Sequence, residues 1–128
     1  CSEGMLNSVG LQNPGVEKVI SHELPLLKQC FNKKVMANVS GFSVEDYAYT
    51  CEKLNGEDQI GWFEVNISCP NVSGGGMAFS TDTNVAKELV TEVKKKNKKP
   101  LIVRRNYVII NIVKEGARYR HEICLFIQ

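Results

Sequence analysis

Three short apolar runs, separated by amphipathic stretches of helical length, restrict this chain to a narrow set of folds. Val35-Met36-Ala37-Asn38-Val39 reads as a buried strand, and Ser40-Gly41 leads out of it. Ser43 and Asp46 have the spacing of a capping box, although Asp is shorter than the usual Glu. Val44, Tyr47, Cys51 and Leu54 then recur at helical spacing, and Asn55-Gly56 supplies a stop. Trp62 to Ile67 is a second strand, followed by a glycine-rich loop at Gly74-Gly75-Gly76. A second helix opens near Asp82, places Val85, Leu89 and Val93 on one side, and ends in lysines. Pro100-Leu101-Ile102-Val103 is a third strand. Helical character returns weakly from Ile112 to Tyr119, and Ile123 to Ile127 reads as a fourth strand.

Strands alternating with helices at these lengths imply an α/β fold with a parallel sheet. Ahead of them, Val16 to Gln29 carries its own helical pattern in Val19, Ile20, Leu24 and Leu27. An open doubly wound sheet and a slice of a (β/α)8 TIM barrel both fit. A complete barrel needs about 250 residues, so a chain of 128 residues corresponds to roughly half of one. No GxGxxG or Walker-type loop follows a strand, which leaves nucleotide binding of the Rossmann kind unsupported.

A net charge of +2 demands neither nucleic acid nor an anionic membrane. The basic run Lys94 to Lys99 stands at a predicted helix end, where lysines complement the dipole and remain solvated. Five cysteines (Cys1, Cys30, Cys51, Cys69, Cys124) make an odd count with no CxxC pair. That pattern argues against a disulfide framework or zinc site and favours a reducing cytoplasm. The glycosylation sequons at Asn38, Asn66 and Asn71 are expected to be unused, since neither a signal peptide nor a long apolar span accompanies them. Because the chain begins with Cys1, a piece of a longer protein is expected.

Chemistry concentrates at strand ends. The run Glu64-Val65-Asn66-Ile67-Ser68-Cys69-Pro70-Asn71 passes from an apolar strand into amides, a hydroxyl and a thiol. Asn38 and Arg104 end the flanking strands. Strand ends of this kind form one rim in α/β enzymes. Asn side chains there suit a flat heterocycle, because each offers both a donor and an acceptor; alternatively, Asn38 and Asn71 simply cap turns. The thiol of Cys69 is the reactive group. Neither His22 nor His121 falls at a predicted strand end, which weakens a Cys-His hydrolase. A thiol whose pKa is tuned down can instead act as a general base beside a carbonyl.

Three motifs, in order, resemble class 1 dihydroorotate dehydrogenase. They are Gly4 to Gly15 (containing Asn7-Ser8-Val9-Gly10-Leu11), Ala37-Asn38-Val39-Ser40-Gly41, and Glu64 to Asn71. The pairing of Leu11-Gln12-Asn13-Pro14-Gly15 with Asn66 to Asn71 looks most like class 1B, the NAD-linked type. The resemblance implies a (β/α)8 barrel carrying FMN and oxidising dihydroorotate to orotate in pyrimidine synthesis. It implies that Cys69 is the base removing the C5 proton while hydride leaves C6 for the flavin. Asn7, Ser8, Val9, Gly10, Leu11, Asn66 and Asn71 would bind substrate; Asn38, Asn66 and Arg104 would contact FMN. It further implies a homodimer of catalytic subunits and an electron-transfer partner subunit carrying FAD and a [2Fe-2S] cluster.

The departures lie at the C-terminal end. Arg104 stands where the family has lysine, Arg105-Asn106-Tyr107-Val108 follows in place of Leu-Ser-Pro-Asn, and Ile127-Gln128 supplies no clear substrate Asn. The expectation is one incomplete barrel domain over residues 1–128, divergent from 103 to 128. Two alternatives accompany it: a non-catalytic barrel remnant, and a domain similar to the flavin domain of dihydropyrimidine dehydrogenase.

Overall fold

Asn13 Oδ1 accepts the Gly15 N–H at 3.0 Å, and Gly15 adopts φ 87°, a left-handed conformation that suits glycine. The computed structural model describes residues 12–67, 79, 82–105, 108–112 and 124–127, with the backbone alone for 105, 108–112 and 124–127. After Gly15, helix α1 (Val16–Lys18) passes into a π-helical turn (Val19–Glu23) and then into α2 (Leu24–Cys30). Pro25 has no N–H to donate, and its ring crowds the carbonyl four residues back, so a widened turn there accommodates it. Val16, Val19 and Leu24 are the buried positions, in agreement with the helical pattern.

Five strands form one sheet: β1 (Val35–Val39), β2 (Ile60–Asn66), β3 (Leu101–Arg105), β4 (Val108–Ile112) and β5 (Cys124–Ile127). Their spatial order is β4-β3-β2-β1-β5. β1, β2 and β3 are parallel neighbours in chain order, as expected of strand–helix units. β5, the expected fourth strand, lies parallel to β1 on its other side. β4 was not foreseen, and it runs antiparallel to β3. Only Asn106 and Tyr107 separate those two strands, too few residues for a crossover, so the chain has to reverse. The helix expected from Ile112 to Tyr119 is corrected at its first residue, because Ile112 closes β4; residues 113–119 lie outside the described residues.

Two helices cover one face. In α3 (Val44–Leu54) the capping box forms: Ser43 Oγ accepts the Asp46 N–H at 3.1 Å, and Asp46 Oδ2 accepts the Ser43 N–H at 3.0 Å. The same Asp46 oxygen also accepts the Phe42 N–H at 3.0 Å. In α4 (Thr83–Lys96), Asp82 Oδ1 caps the Asn84 N–H at 2.8 Å. Tyr47, Cys51 and Leu54 of α3 and Leu89 and Val93 of α4 join Ala37, Val39, Phe63, Val65, Leu101 and Val103 in one buried cluster. Burying each large side chain contributes about 1.5–3 kcal/mol.

The opposite end of the sheet is fastened by lysines. Lys99 Nζ donates to the carbonyls of Glu57 at 3.0 Å and Ile60 at 2.8 Å, and Lys34 Nζ donates to the Asp58 carbonyl. Partial burial, then the neighbouring Lys34 charge, lowers the Lys99 pKa below the usual lysine value. The lysine run is thus not wholly solvated: Lys96 pairs with Glu52 at 2.8 Å, and Lys99 is structural. Among the described residues, no helix is long and apolar enough to cross a membrane, and no cluster of three or more His, Cys, Asp or Glu could hold a metal ion.

Candidate active site at the strand ends

In a parallel ladder, paired residues send their side chains to the same face, and alternate residues along a strand share it. The register pairs Asn38 with Glu64, Glu64 with Ile102, and Asn66 with Arg104. Asn38, Glu64, Asn66 and Arg104 therefore stand on one face near the C-terminal strand ends. Ala37, Val39, Phe63, Val65, Leu101 and Val103 occupy the face packed on the helices. Two of the apolar strands thus carry buried polar groups on a single side.

Three of these groups meet at one carboxylate oxygen. Asn38 Nδ2 donates to Glu64 Oε1, and Arg104 Nη1 lies 3.6 Å from the same oxygen. Asn38 is 1% exposed, and Glu64 and Asn66 are each 6% exposed. The Arg104 side chain is half-exposed. Asn38 Oδ1 is buried and finds no hydrogen-bond partner among the described residues. An amide oxygen left unpaired in the interior costs about 1–3 kcal/mol.

The end of β2 is held from behind. The Tyr47 hydroxyl donates to the Asn66 carbonyl at 2.7 Å, and the Tyr47 ring packs edge-on against Phe79 with centroids 5.7 Å apart. Gly41 permits this approach of α3: a Cβ there would stand 2.8 Å from Asp46 Cβ and 3.2 Å from Tyr47 Cδ2.

The other candidate nucleophiles are placed elsewhere. Cys51 is buried in α3, and burial pushes its thiol pKa up to about 12. Cys30 is exposed at the end of α2. His22 is exposed, with Nδ1 at 3.1 Å from Glu23 Oε1. The structure thus brings together Asn38, Asn66 and Arg104. Cys69, Asn71, Asn7, Ser8, Val9, Gly10 and Leu11 lie outside the described residues, as do the Gly74–Gly76 loop and His121.

The family model described as dihydroorotate dehydrogenase matches residues 1–115. The chain belongs to the dihydroorotate dehydrogenase family. It is 44% identical over 112 residues to a protein of Malacoplasma penetrans named dihydroorotate dehydrogenase B (NAD(+)), catalytic subunit, covering 88% of this chain and 36% of that protein. Proteins of the same name from Alkaliphilus metalliredigens and Bacillus cytotoxicus are each 46% identical over 110 residues, or 86% of this chain. The chain spans 36% and 35% of their respective lengths, about a third in each case. Every candidate residue from Asn7 to Arg104 falls inside the range matched to the dihydroorotate dehydrogenase family.

Two further residues belong to the site. Glu64 is a lone carboxylate two positions before Asn66 in an apolar strand, and alternation puts it on the same face. Tyr47 falls in the apolar stripe of α3, but its hydroxyl requires a buried partner, which is the signal that distinguishes it from leucine.

Proposed function

We propose that this chain forms part of the catalytic barrel of a class 1B dihydroorotate dehydrogenase, which oxidises dihydroorotate to orotate in pyrimidine biosynthesis. The observation that carries this reading is the buried polar row Asn38–Glu64–Asn66, with Arg104, at the C-terminal ends of three parallel strands. In a (β/α)8 barrel, that rim is where the chemistry resides. On this reading residues 1–128 are a single incomplete barrel domain, with 103–128 its divergent end.

The residues fit FMN. A flavin ring edge presents carbonyl acceptors beside an N–H, and the rim offers a buried amide acceptor on Asn38, a second buried amide on Asn66 and the cation of Arg104. FMN, when bound, supplies the two-electron acceptor. Asn38, Asn66 and Arg104 hold it. Asn7, Ser8, Val9, Gly10 and Leu11, with Asn66 and Asn71, hold dihydroorotate against it. The Cys69 thiolate takes the proton from C5 onto its sulfur. The class 1B assignment brings a homodimer, a partner subunit carrying FAD and a [2Fe-2S] cluster, and a cytoplasmic location.

One observation favours a second reading, a non-catalytic remnant of the barrel. β4 pairs antiparallel on the edge of β3, where a barrel would add a parallel strand. Adding dihydroorotate to the purified, FMN-loaded chain separates the readings. Bleaching of the flavin by substrate, abolished in Cys69→Ala with flavin still bound, supports the enzyme and its base. A chain that fails to hold flavin through purification supports the remnant. Normal bleaching in Cys69→Ala would remove Cys69 from its role.

A further inference from the structure

Glu64 binds two groups of the rim and is itself almost wholly buried. A carboxylate has acceptors only, so an amide facing it must present its NH2. The β1–β2 register sets Asn38 directly beside Glu64, which fixes that orientation from the backbone. The Asn38 oxygen is then turned away from Glu64, buried and without a partner among the described residues. Arg104 sits two pairs further up the ladder, on the diagonal from Glu64, and leans back to 3.6 Å from the same carboxylate oxygen.

We propose that Glu64 is a positioning residue for the ligand site: it locks the Asn38 amide with its oxygen toward the ligand and anchors the Arg104 guanidinium beside it. The proposal rests on the flavin reading only for the identity of the ligand. The rim then recognises a ring edge bearing an N–H donor opposite Asn38 and an electron-rich oxygen near Arg104. A glutamine at position 64 could offer either its NH2 or its oxygen, so Asn38 would lose its fixed sense and Arg104 its counter-charge.

The test uses the isotopically labelled full chain. In its NMR spectrum, one proton of the Asn38 side-chain NH2 should be shifted downfield and protected from solvent exchange. Both signatures should vanish in Glu64→Gln and survive in Glu64→Asp, which keeps the carboxylate. By flavin fluorescence quenching, Glu64→Gln should bind FMN about tenfold more weakly or worse, a difference expected of one lost charged hydrogen bond. Its thermal midpoint, measured without flavin, should stay close to that of the parent.

An Asn38 amide unchanged by Glu64→Gln would overturn the proposal. So would an amide that moves while FMN affinity is unaltered, because the lock would then not face the ligand. If Glu64→Gln does not fold, Glu64→Asp decides: absence of the shifted proton there is equally contradictory. FMN bound by neither protein, with the amide shift lost in Glu64→Gln, would sustain the lock and refute the flavin reading.

Discussion

The Tyr47 hydroxyl donates a 2.7 Å hydrogen bond to the backbone carbonyl of Asn66, tying α3 to the last residue of β2. The chain then continues through Ile67 and Ser68 to Cys69. A helix that packs for ordinary hydrophobic reasons therefore also fixes the strand end from which the proposed base departs.

Removing that hydroxyl should be measurable. Tyr47→Phe keeps the ring against Phe79 and loses one buried donor, so it is expected to cost about 1 kcal/mol. A urea unfolding curve with a lowered midpoint and unchanged slope checks this. An unchanged midpoint would mean that the bond contributes nothing net.

Gly41 makes a sharper prediction. In Gly41→Ala, the new methyl would meet Asp46 Cβ at 2.8 Å and the Tyr47 ring at 3.2 Å. The helix start has to move, with a cost of about 1–3 kcal/mol. Thermal unfolding of the variant should show a lower midpoint than Tyr47→Phe does if backbone displacement outweighs one hydrogen bond.

The capping box is independent of the rim. Ser43→Ala removes the acceptor for the Asp46 N–H and should destabilise the chain by about 1 kcal/mol. Flavin affinity should be unaffected, because Ser43 lies at the helix start and outside the polar row.

The cysteines should separate by reactivity. Burial raises the Cys51 pKa to about 12, so its thiol stays protonated at pH 8 and should resist alkylation. Exposed Cys30 should be modified well before Cys51, as read by peptide mass spectrometry. The sign of the linkage follows: a folded pKa above the unfolded one favours the protonated thiol. That stability is complete below the unfolded pKa of about 8.5 and is lost as pH rises through the folded value. Unfolding midpoints should fall progressively in alkali, and Cys51→Ala should flatten that part of the slope.

The helices and parallel strands were legible because their signals are periodic and local. Val44, Tyr47, Cys51 and Leu54 define a buried stripe, and Asp82 and Asn55-Gly56 mark helix ends, before any tertiary contact is known. The common rim of Asn38, Asn66 and Arg104 followed from their places at strand ends. β4 was not legible, since Val108–Ile112 pairs through its contact with β3, and a two-residue connection forces its direction. Nor was the bond from Asn38 to Glu64, because it depends on register across residues far apart in sequence. The orientation of the Asn38 amide exists only once that register is set.

The most direct test of the account is the visible absorbance spectrum of the purified chain after incubation with FMN and gel filtration. The buried amides and Arg104 at the strand ends predict that flavin bands elute with the protein and are reduced in Asn38→Leu. A chain that emerges colourless, with all flavin in the small-molecule fractions, would contradict the assignment of this rim as a flavin site.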